Sequence, residues 1–270
     1  MPRQPTEDEF RAVLTGEHAE LAGIRKTMKR IPASPRCKLC AAPFGGPGGA
    51  ILRHFGYSQF GGNPSLCQKC IYGFRAAGVS GAEIPTSLLF ADIRGSTGLG
   101  ERMRPAEFRA YLDRFYRIGS DAILRVDGLV DKLVGDEIIG LFFGGVSGPQ
   151  HAEAAVQAAR DMAARCARAD ATPMGPIPVG IGVHHGDAYV GATGPVGAVD
   201  DFTALGDVVN TTSRLASAAA AGEILVSLEA LAAAGLAPLG NEIRRVDVRG
   251  REATLDVVVL RAADQLAASA

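Results

Sequence analysis

An apolar run that ends on an aspartate constrains the fold of this chain more than any other feature. Residues Ser87–Phe90 have the composition of a buried strand, Asp92 follows, and the turn Gly95-Ser96-Thr97 opens a helical pattern. A carboxylate at the end of a strand can bind a hard cation through oxygen. The unpaired N–H groups of a helix start can bind phosphate. We therefore expect Asp92 to be a metal ligand and the three turn residues to contact a metal-bound polyphosphate.

A second acidic turn lies further along the chain. Two β-rich runs, 128–134 and 137–143, are joined by Gly135-Asp136. Such a short connection predicts a β-hairpin. Asp136 is therefore the second candidate metal carboxylate, at the tip of this hairpin.

The last polar pair lies in a predicted helix that begins near Asp207. Asn210 and Arg214 are four residues apart, so their side chains share one face of the helix. The arginine can donate a fork of hydrogen bonds to a phosphate as charge develops there. A solvated helix face is the alternative that this pair alone leaves open.

From residue 86 onward, strand and helix patterns alternate. Helical periodicity covers 97–125, with a break near Pro105, and 149–169. Further strands are expected at 177–184, 187–192, 223–227, 243–248 and 253–260. This order predicts an α/β fold, an α+β sandwich with a largely antiparallel sheet and ferredoxin-like βαββαβ character.

Taken together, these segments resemble the catalytic domain of class III nucleotide cyclases over roughly residues 84–262. The matching stretches are Phe90-Ala91-Asp92-Ile93-Arg94-Gly95-Ser96-Thr97, Lys132-Leu133-Val134-Gly135-Asp136-Glu137, the segment 201–207, and Asn210-Thr211-Thr212-Ser213-Arg214. The resemblance implies a pair of Mg²⁺ or Mn²⁺ ions in each active site, bound by Asp92, Asp136 and the carbonyl oxygen of Ile93. It also implies that Asn210 positions the ribose and that Arg214 contacts the α-phosphate.

The resemblance also bears on substrate and assembly. Lys132 can donate to a ring acceptor of adenine, and Thr203 can accept from its 6-amino group. Guanine-specific relatives tend to carry a glutamate where Lys132 stands. We therefore expect ATP as the substrate, 3′,5′-cyclic AMP and pyrophosphate as products, and a homodimer whose two sites are each shared between protomers.

One departure from the family pattern concerns the phosphates. The stretch 194–200 has no arginine or lysine where many relatives have one. Arg249 or Arg251 is a candidate replacement. His184 matches a histidine that is frequent in the family, and we expect it and His185 to be structural.

Four cysteines form a second signal, outside the cyclase-like region. Cys37, Cys40, Cys67 and Cys70 make two Cys-x-x-Cys pairs that flank a glycine-rich stretch. Paired thiolates of this kind suit tetrahedral Zn²⁺, whereas an iron–sulfur cluster or a thiol–disulfide switch are the alternatives. His54 is a spare candidate ligand, and Cys166 is expected to be buried and inert.

Several boundaries and exclusions follow from the remaining sequence. We expect an N-terminal helix within 1–35, spanning 7–30 with Thr6 as its N-cap, the four-cysteine module at 36–74, a linker at 75–85, the catalytic domain at 86–262 and a tail at 263–270. The formal net charge of −1 argues against recruitment to nucleic acid or membrane. The N-terminus lacks the apolar core of a signal peptide, and we expect the protein in the cytoplasm.

Other readings remain open at this point. The chain could be an inactive cyclase-like protein that binds nucleotide for regulation, or a guanylate cyclase. A faint likeness of Val134–Ile138 to the diguanylate cyclase signature is a further alternative, which the Asn210 helix does not suit.

Overall fold

The computed structural model describes residues 6–76, 78–168, 175–194, 201–238, 240–247, 254–262, 264 and 266–268. The helices in these ranges are α1 (Glu7–Thr15), α2 (Ala19–Met28), α3 (Gly46–Leu52), α4 (Gln68–Arg75), α5 (Ser96–Arg102), α6 (Pro105–Arg125), α7 (Gly144–Ser147), α8 (His151–Ala167), α9 (Asp207–Ala218) and α10 (Leu228–Ala233). The strands are β1 (Gln59–Phe60), β2 (Asn63–Cys67), β3 (Gly81–Ile93), β4 (Leu129–Val134), β5 (Glu137–Phe143), β6 (Val179–Thr193), β7 (Asp201–Leu205), β8 (Ile224–Ser227), β9 (Leu236–Pro238), β10 (Ile243–Val246), β11 (Leu255–Leu260) and β12 (Leu266–Ala268).

The chain divides into two compact units. The first unit comprises residues 1–85, 143–149 and 187–206, and the second comprises 86–142, 150–186 and 207–270. Strands β3 and β6 therefore each have residues in both units. In the described part of the chain, no helix combines the length and the apolar composition needed to cross a lipid bilayer.

A mixed, mainly antiparallel sheet organises the second unit. Its strand order is β10-β11-β8-β6-β3-β5-β4. Strands β6 and β8 pair in parallel, with Ile181 opposite Ile224, whereas β4–β5, β8–β11 and β10–β11 are antiparallel. The mixed α/β fold and the predominantly antiparallel sheet are as the sequence predicts.

The sheet buries side chains on both faces because successive residues of a strand point to opposite sides. Leu225, Val257 and Val259 pack with Leu215 and Ala219 of α9. Their neighbours along the same strands belong to the larger core, which also takes in α6, α8 and α10. That core includes Leu89, Ile93, Phe115, Ile138, Phe142, Val156, Met162, Val183, Ile224, Val226, Val258 and Leu260.

The first unit contains the four-cysteine module. The largest buried side chains of the first unit include Phe10, Leu14, Leu39, Phe60, Leu66, Ile71, Phe143 and Phe202. The rings of Phe143 and Phe202 lie 6.4 Å apart between centroids. Strands β6 and β7 pair antiparallel here, with Gly191 opposite Thr203.

The single N-terminal helix expected over 7–30 is wrong. The structure has two helices, and Gly16 ends the first in the left-handed region at φ 85°, a conformation that glycine adopts without steric cost. The N–H groups of Glu17 and His18 then both donate to the Ala12 carbonyl, at 2.8 and 3.0 Å, and His18 caps α2. The capping box of Thr6 and Glu9 is present as expected.

Two further boundaries differ from the sequence prediction. The strands expected at 177–184 and 187–192 form one strand, β6, of 15 residues. The long strand β3, of 13 residues, pairs with β6. Gly186 does not interrupt β6. Part of the expected linker 75–85 is also regular, because α4 runs to Arg75 and β3 begins at Gly81.

Candidate active site

The end of β3 and the β4–β5 turn bring the two predicted metal carboxylates together. Ile93 is buried and donates its N–H to the carbonyl oxygen of Asp136 at 3.2 Å. The Ser96 hydroxyl, at the start of α5, donates to Oδ2 of Asp136. The carboxyl groups of Asp92 and Asp136 are close enough to shift each other's pKa. Strand end, helix start and hairpin turn therefore converge on one acidic pair.

The two carboxyl groups ionise unequally. Burial and the hydrogen bond with Asp136 raise the pKa of Asp92 to about 6, against the opposing charge of Arg94. Burial also disfavours ionisation of Asp136, but hydrogen bonds from Ser96 and Asp92 outweigh it and lower its pKa. Adjacent carboxyl groups of this kind hold a proton in common unless a cation neutralises them.

The donor set fits a hard divalent cation. Oδ1 of Asp92 is buried and has no hydrogen-bond partner, which is costly for a carboxylate oxygen. Mg²⁺ and Mn²⁺ prefer oxygen ligands, and a bound cation would satisfy this oxygen. Asp92, Asp136 and the Ile93 carbonyl can therefore hold such an ion.

Two charged residues at this site were missed by the sequence prediction. Arg94 contacts Oδ2 of Asp92 and donates from Nη1 to the carbonyl of Ser217, at 3.0 Å. Glu137 is half-buried, and burial together with Asp92 and Asp136 raises its pKa to about 7. A signal existed for both: Arg94 is two residues from Asp92 in an extended segment, on the same side, and Glu137 adjoins Asp136.

The predicted phosphate contacts lie at the turn after β3. Gly95 and Thr97 are exposed and Ser96 is half-buried. Gly95 is the N-cap of α5. Ser96 thus contacts Asp136, a predicted metal carboxylate, and the sequence did not indicate this contact.

Asn210 and Arg214 both lie on α9, as predicted. Asn210 is exposed and Arg214 is half-buried, whereas Thr211, Thr212 and Leu215 form the buried side of the helix. The pair therefore projects from the face of α9 that is turned away from the core.

The two candidate base-recognition residues fall in different units. Lys132, in the second unit, is half-buried on β4 and pairs with Ile139 of β5. Thr203, in the first unit, is buried on β7. The candidate phosphate contacts Arg249 and Arg251 lie outside the described residues.

The histidines have structural partners. Nδ1 of His184 lies 2.8 Å from the Ser227 hydroxyl, and Nδ1 of His185 lies 2.9 Å from the Ser87 hydroxyl. Ser87 also contacts Nδ1 of His151, at 3.3 Å. These bonds support the structural role expected for His184 and His185.

The four N-terminal cysteines form one cluster in the first unit. Their sulfur atoms all lie within 4.8 Å of one another, with Cys40 and Cys67 at 3.6 Å and Cys37 and Cys70 at 4.0 Å. Burial disfavours ionisation of Cys37, but hydrogen bonds with the other three thiols lower its pKa. Hydrogen bonds with Cys37 and Cys40 raise the pKa of Cys67, and hydrogen bonds with the other three thiols raise that of Cys70. His54 is exposed and stands outside the cluster.

The fold and the acidic pair define a domain of the nucleotide cyclase type. Residues 82–259 match the family model of the adenylate and guanylate cyclase catalytic domain. The chain belongs to this family.

Curated relatives and solved structures give the same family. The chain is 36% identical over 132 residues to an adenylate cyclase of Anabaena cylindrica, covering 48% of this chain and 26% of that protein. It is 27% identical over 183 residues to adenylate cyclase 1 of Rhizobium meliloti, covering 63% of this chain and 26% of that protein. The chain thus spans about a quarter of the length of these relatives.

Two solved structures are similar at 27% identity. The guanylyl cyclase Cya2 superposes with a TM-score of 0.61 over 67% of this chain and 93% of its own. The adenylyl cyclase CyaB from P. aeruginosa superposes with a TM-score of 0.59 over 67% of this chain and 96% of its own. The first is named a guanylyl cyclase and the second an adenylyl cyclase. These similarities therefore do not decide which base this chain prefers.

Proposed function

We propose that the protein is an adenylate cyclase that converts ATP into 3′,5′-cyclic AMP and pyrophosphate in the cytoplasm. The observation that carries the proposal is the acidic pair of Asp92 and Asp136, with an unsatisfied buried oxygen, in a domain of the cyclase family. An inactive domain has no need to keep this pair together with Lys132, Asn210 and Arg214.

Asp92, Asp136 and the Ile93 carbonyl would hold Mg²⁺ or Mn²⁺. Bound there, such ions lower the pKa of the ATP 3′-hydroxyl and neutralise the triphosphate. Ser96 keeps Oδ2 of Asp136 in place through its hydrogen bond. Arg94 fixes Asp92 against the last turn of α9.

The reaction forms one bond and breaks another. The 3′-oxygen gives its proton to water and bonds to the α-phosphorus, while the bond from that phosphorus to the oxygen that bridges to the β-phosphate breaks and pyrophosphate leaves. Arg214 donates hydrogen bonds to the α-phosphate oxygens as charge develops. Asn210 holds the ribose so that the 3′-oxygen is in line with the leaving group.

Base selection is assigned to Lys132 and Thr203. The lysine donates to a ring nitrogen of adenine, and the threonine hydroxyl accepts from the 6-amino group. We propose a homodimer with two equivalent sites, because one chain carries both the metal carboxylates and the Asn210/Arg214 pair. Two copies therefore contain every residue that a shared site needs.

We further propose that the four-cysteine module binds Zn²⁺. A Zn–S bond of about 2.3 Å in a tetrahedron places sulfur atoms about 3.8 Å apart, which agrees with the 3.6 and 4.0 Å separations. An iron–sulfur cluster gives each thiolate its own iron, which would hold the sulfur atoms further apart than ligands of one ion. The spacing therefore favours a single ion.

The test is turnover of ATP and, separately, GTP by purified protein with Mg²⁺ or Mn²⁺, with products identified by mass. We expect cyclic AMP from the parent and from Asp113→Asn, an exposed carboxylate of α6, and none from Asp92→Ala. Cyclic GMP from GTP, with no cyclic AMP from ATP, would make the protein a guanylate cyclase. A folded dimer that binds ATP but makes no product would favour the regulatory reading.

A further inference from the structure

Helix α4 joins the four-cysteine cluster to the end of β6 within the first unit. It carries Cys70, one of the cluster cysteines, and ends at Arg75. Nη2 of Arg75 donates to the carbonyl oxygen of Gly194 at 2.9 Å. Gly194 directly follows β6, so one short helix contacts both the cysteine cluster and this strand end.

The chain that leaves α4 makes a second contact with the same strand. The carbonyl of Ser80 accepts a hydrogen bond from the N–H of Ala192 at 2.7 Å. A Cβ atom added to Gly191 would lie 2.2 Å from the Ser80 oxygen, and one added to Gly81 would lie 2.6 Å from the Val190 oxygen. The two backbones therefore touch with no room for a side chain, and a shift of residues 80–81 must move β6.

Strand β6 in turn carries β7. Gly191 is directly opposite Thr203 in the antiparallel pair, and Thr203 is 4% exposed. Gly191, which lies in close contact with Ser80, is thus paired with Thr203, the residue that we assign to adenine recognition. A displacement at Gly191 passes to Thr203 through the strand pairing.

We propose that the metal-loaded cysteine module sets the position of Thr203, and that Arg75 is the positioning residue that completes this link. Four thiolates on one ion fix α4 relative to the Cys37 turn. Arg75 and Ser80 then hold the end of β6 at two points, Gly194 and Ala192, both just beyond Gly191. The effect on substrate rests on the proposed function, because it assigns Thr203 to the base; the mechanical link does not depend on it.

The test compares Arg75→Gln with Arg53→Gln, an exposed arginine of the same module, in zinc-loaded full-length protein. Hydrogen–deuterium exchange is followed in peptides covering 187–194 and 201–206, beside zinc content, KM and kcat. We expect Arg75→Gln to speed exchange in these peptides about 3–10-fold, the scale of one lost hydrogen bond. We expect KM for ATP to rise by a similar factor, kcat to stay within about twofold, and zinc content to be unchanged. Arg75→Lys, which keeps the charge, should restore part of the effect.

Removing zinc with a chelator supplies the second arm. In the parent, zinc removal should speed hydrogen exchange in the same peptides. In Arg75→Gln it should cause a smaller further increase in the exchange rate, because the hydrogen bond from Arg75 to Gly194 is already absent. The proposal is overturned if hydrogen exchange in the peptides 187–194 and 201–206 responds neither to Arg75→Gln nor to zinc removal. It is also overturned if Arg53→Gln speeds this exchange as much as Arg75→Gln does. If the parent turns over no nucleotide, the adenylate cyclase assignment fails, while the exchange data still decide whether the module positions β7.

Discussion

The Ser96 hydroxyl donates a hydrogen bond to Oδ2 of Asp136. The main-chain N–H of Ile93 donates to the carbonyl of the same residue at 3.2 Å. Asp136 lies in a tight turn between two strands. The Ile93 bond positions the main chain of this turn and the Ser96 bond orients the carboxylate, and both come from the segment that carries Asp92, the other proposed metal ligand.

Replacing Ser96 with alanine removes the side-chain bond. We expect kcat/KM to fall about 3–10-fold, since one hydrogen bond to a charged group is worth roughly 1.5 kcal/mol or less in a solvated site. The Mg²⁺ concentration for half-maximal activity should rise, because Asp136 is no longer oriented. Ser96→Thr keeps the hydroxyl and should retain most activity. Equal metal dependence for the parent and the alanine variant would remove Ser96 from this role.

The ion pair between Glu223, which precedes β8, and Arg244 of the edge strand β10 should contribute strongly to the free energy of unfolding. Glu223, with 7% of its side chain exposed, accepts from two nitrogens of Arg244 at 2.9 and 3.1 Å. Arg261 contacts it at 3.4 Å.

Glu223→Gln leaves these guanidinium groups without their anion. We expect a loss of about 2 kcal/mol in the free energy of unfolding by urea titration, less than for a fully buried pair because the arginines are partly exposed. The matched change Glu242→Gln, at a carboxylate 51% exposed, should cost less than about 0.5 kcal/mol. Similar costs for the two variants would contradict this account.

The sequence predicted the parts of the site that depend on local pattern. Asp92 at a strand end, Asp136 in a two-residue turn and the helical spacing of Asn210 and Arg214 all follow from short-range rules. The contact of Ser96 with Asp136 does not, because it joins residues 40 apart in sequence.

The fold shows the same division. The break at Pro105 and the hairpin at Gly135 were predicted correctly, since each rests on one residue's backbone preference. The continuity of β6 through Gly186 was not, because its partner strand β3 decides it. Gly16 did carry a local signal, but the apolar periodicity on both sides of it favoured one continuous helix.

His151 should make stability depend on pH. Burial and the charge of His185 lower its pKa to about 4, whereas an unfolded histidine titrates near 6.5. The neutral form is favoured in the folded state, so this contribution is full above about pH 6.5 and is lost as pH falls toward 4.

Comparison with His151→Asn isolates this contribution, because the raised pKa values of Asp92 and Glu137 act in the opposite direction. We expect the stability of the parent relative to the variant to drop by about 1–2 kcal/mol between pH 7 and pH 4, after allowance for solvent screening. The exposed His54→Gln should follow the parent. A pH-independent difference between parent and His151→Asn would show that His151 does not titrate in this way.

The cysteine cluster should bind one metal ion per chain. Cys40→Ala removes one of four ligands, so we expect zinc content measured by mass spectrometry to fall and the melting temperature of the first unit to drop. Cys166 is also buried, with its pKa raised to about 12 by burial, but it lies on α8 outside the cluster. Cys166→Ala is therefore the matched control, and it should keep its zinc. Iron in the purified protein at the same stoichiometry would replace zinc in this assignment.

Lys132→Glu should move base preference from ATP toward GTP. A carboxylate at this position accepts from the ring N–H and the 2-amino group of guanine, whereas it repels the ring acceptor of adenine that a lysine binds. We expect kcat/KM for ATP to fall at least about tenfold and that for GTP to rise, with the metal dependence unchanged because Asp92 and Asp136 are intact. Lys69→Glu, on α4 in the other unit, makes the same charge change and should leave the ratio of the two activities as in the parent. If Lys132→Glu lowers both activities in proportion, Lys132 contributes to folding or general binding, and base selection must be sought at Thr203 and its neighbours on β7.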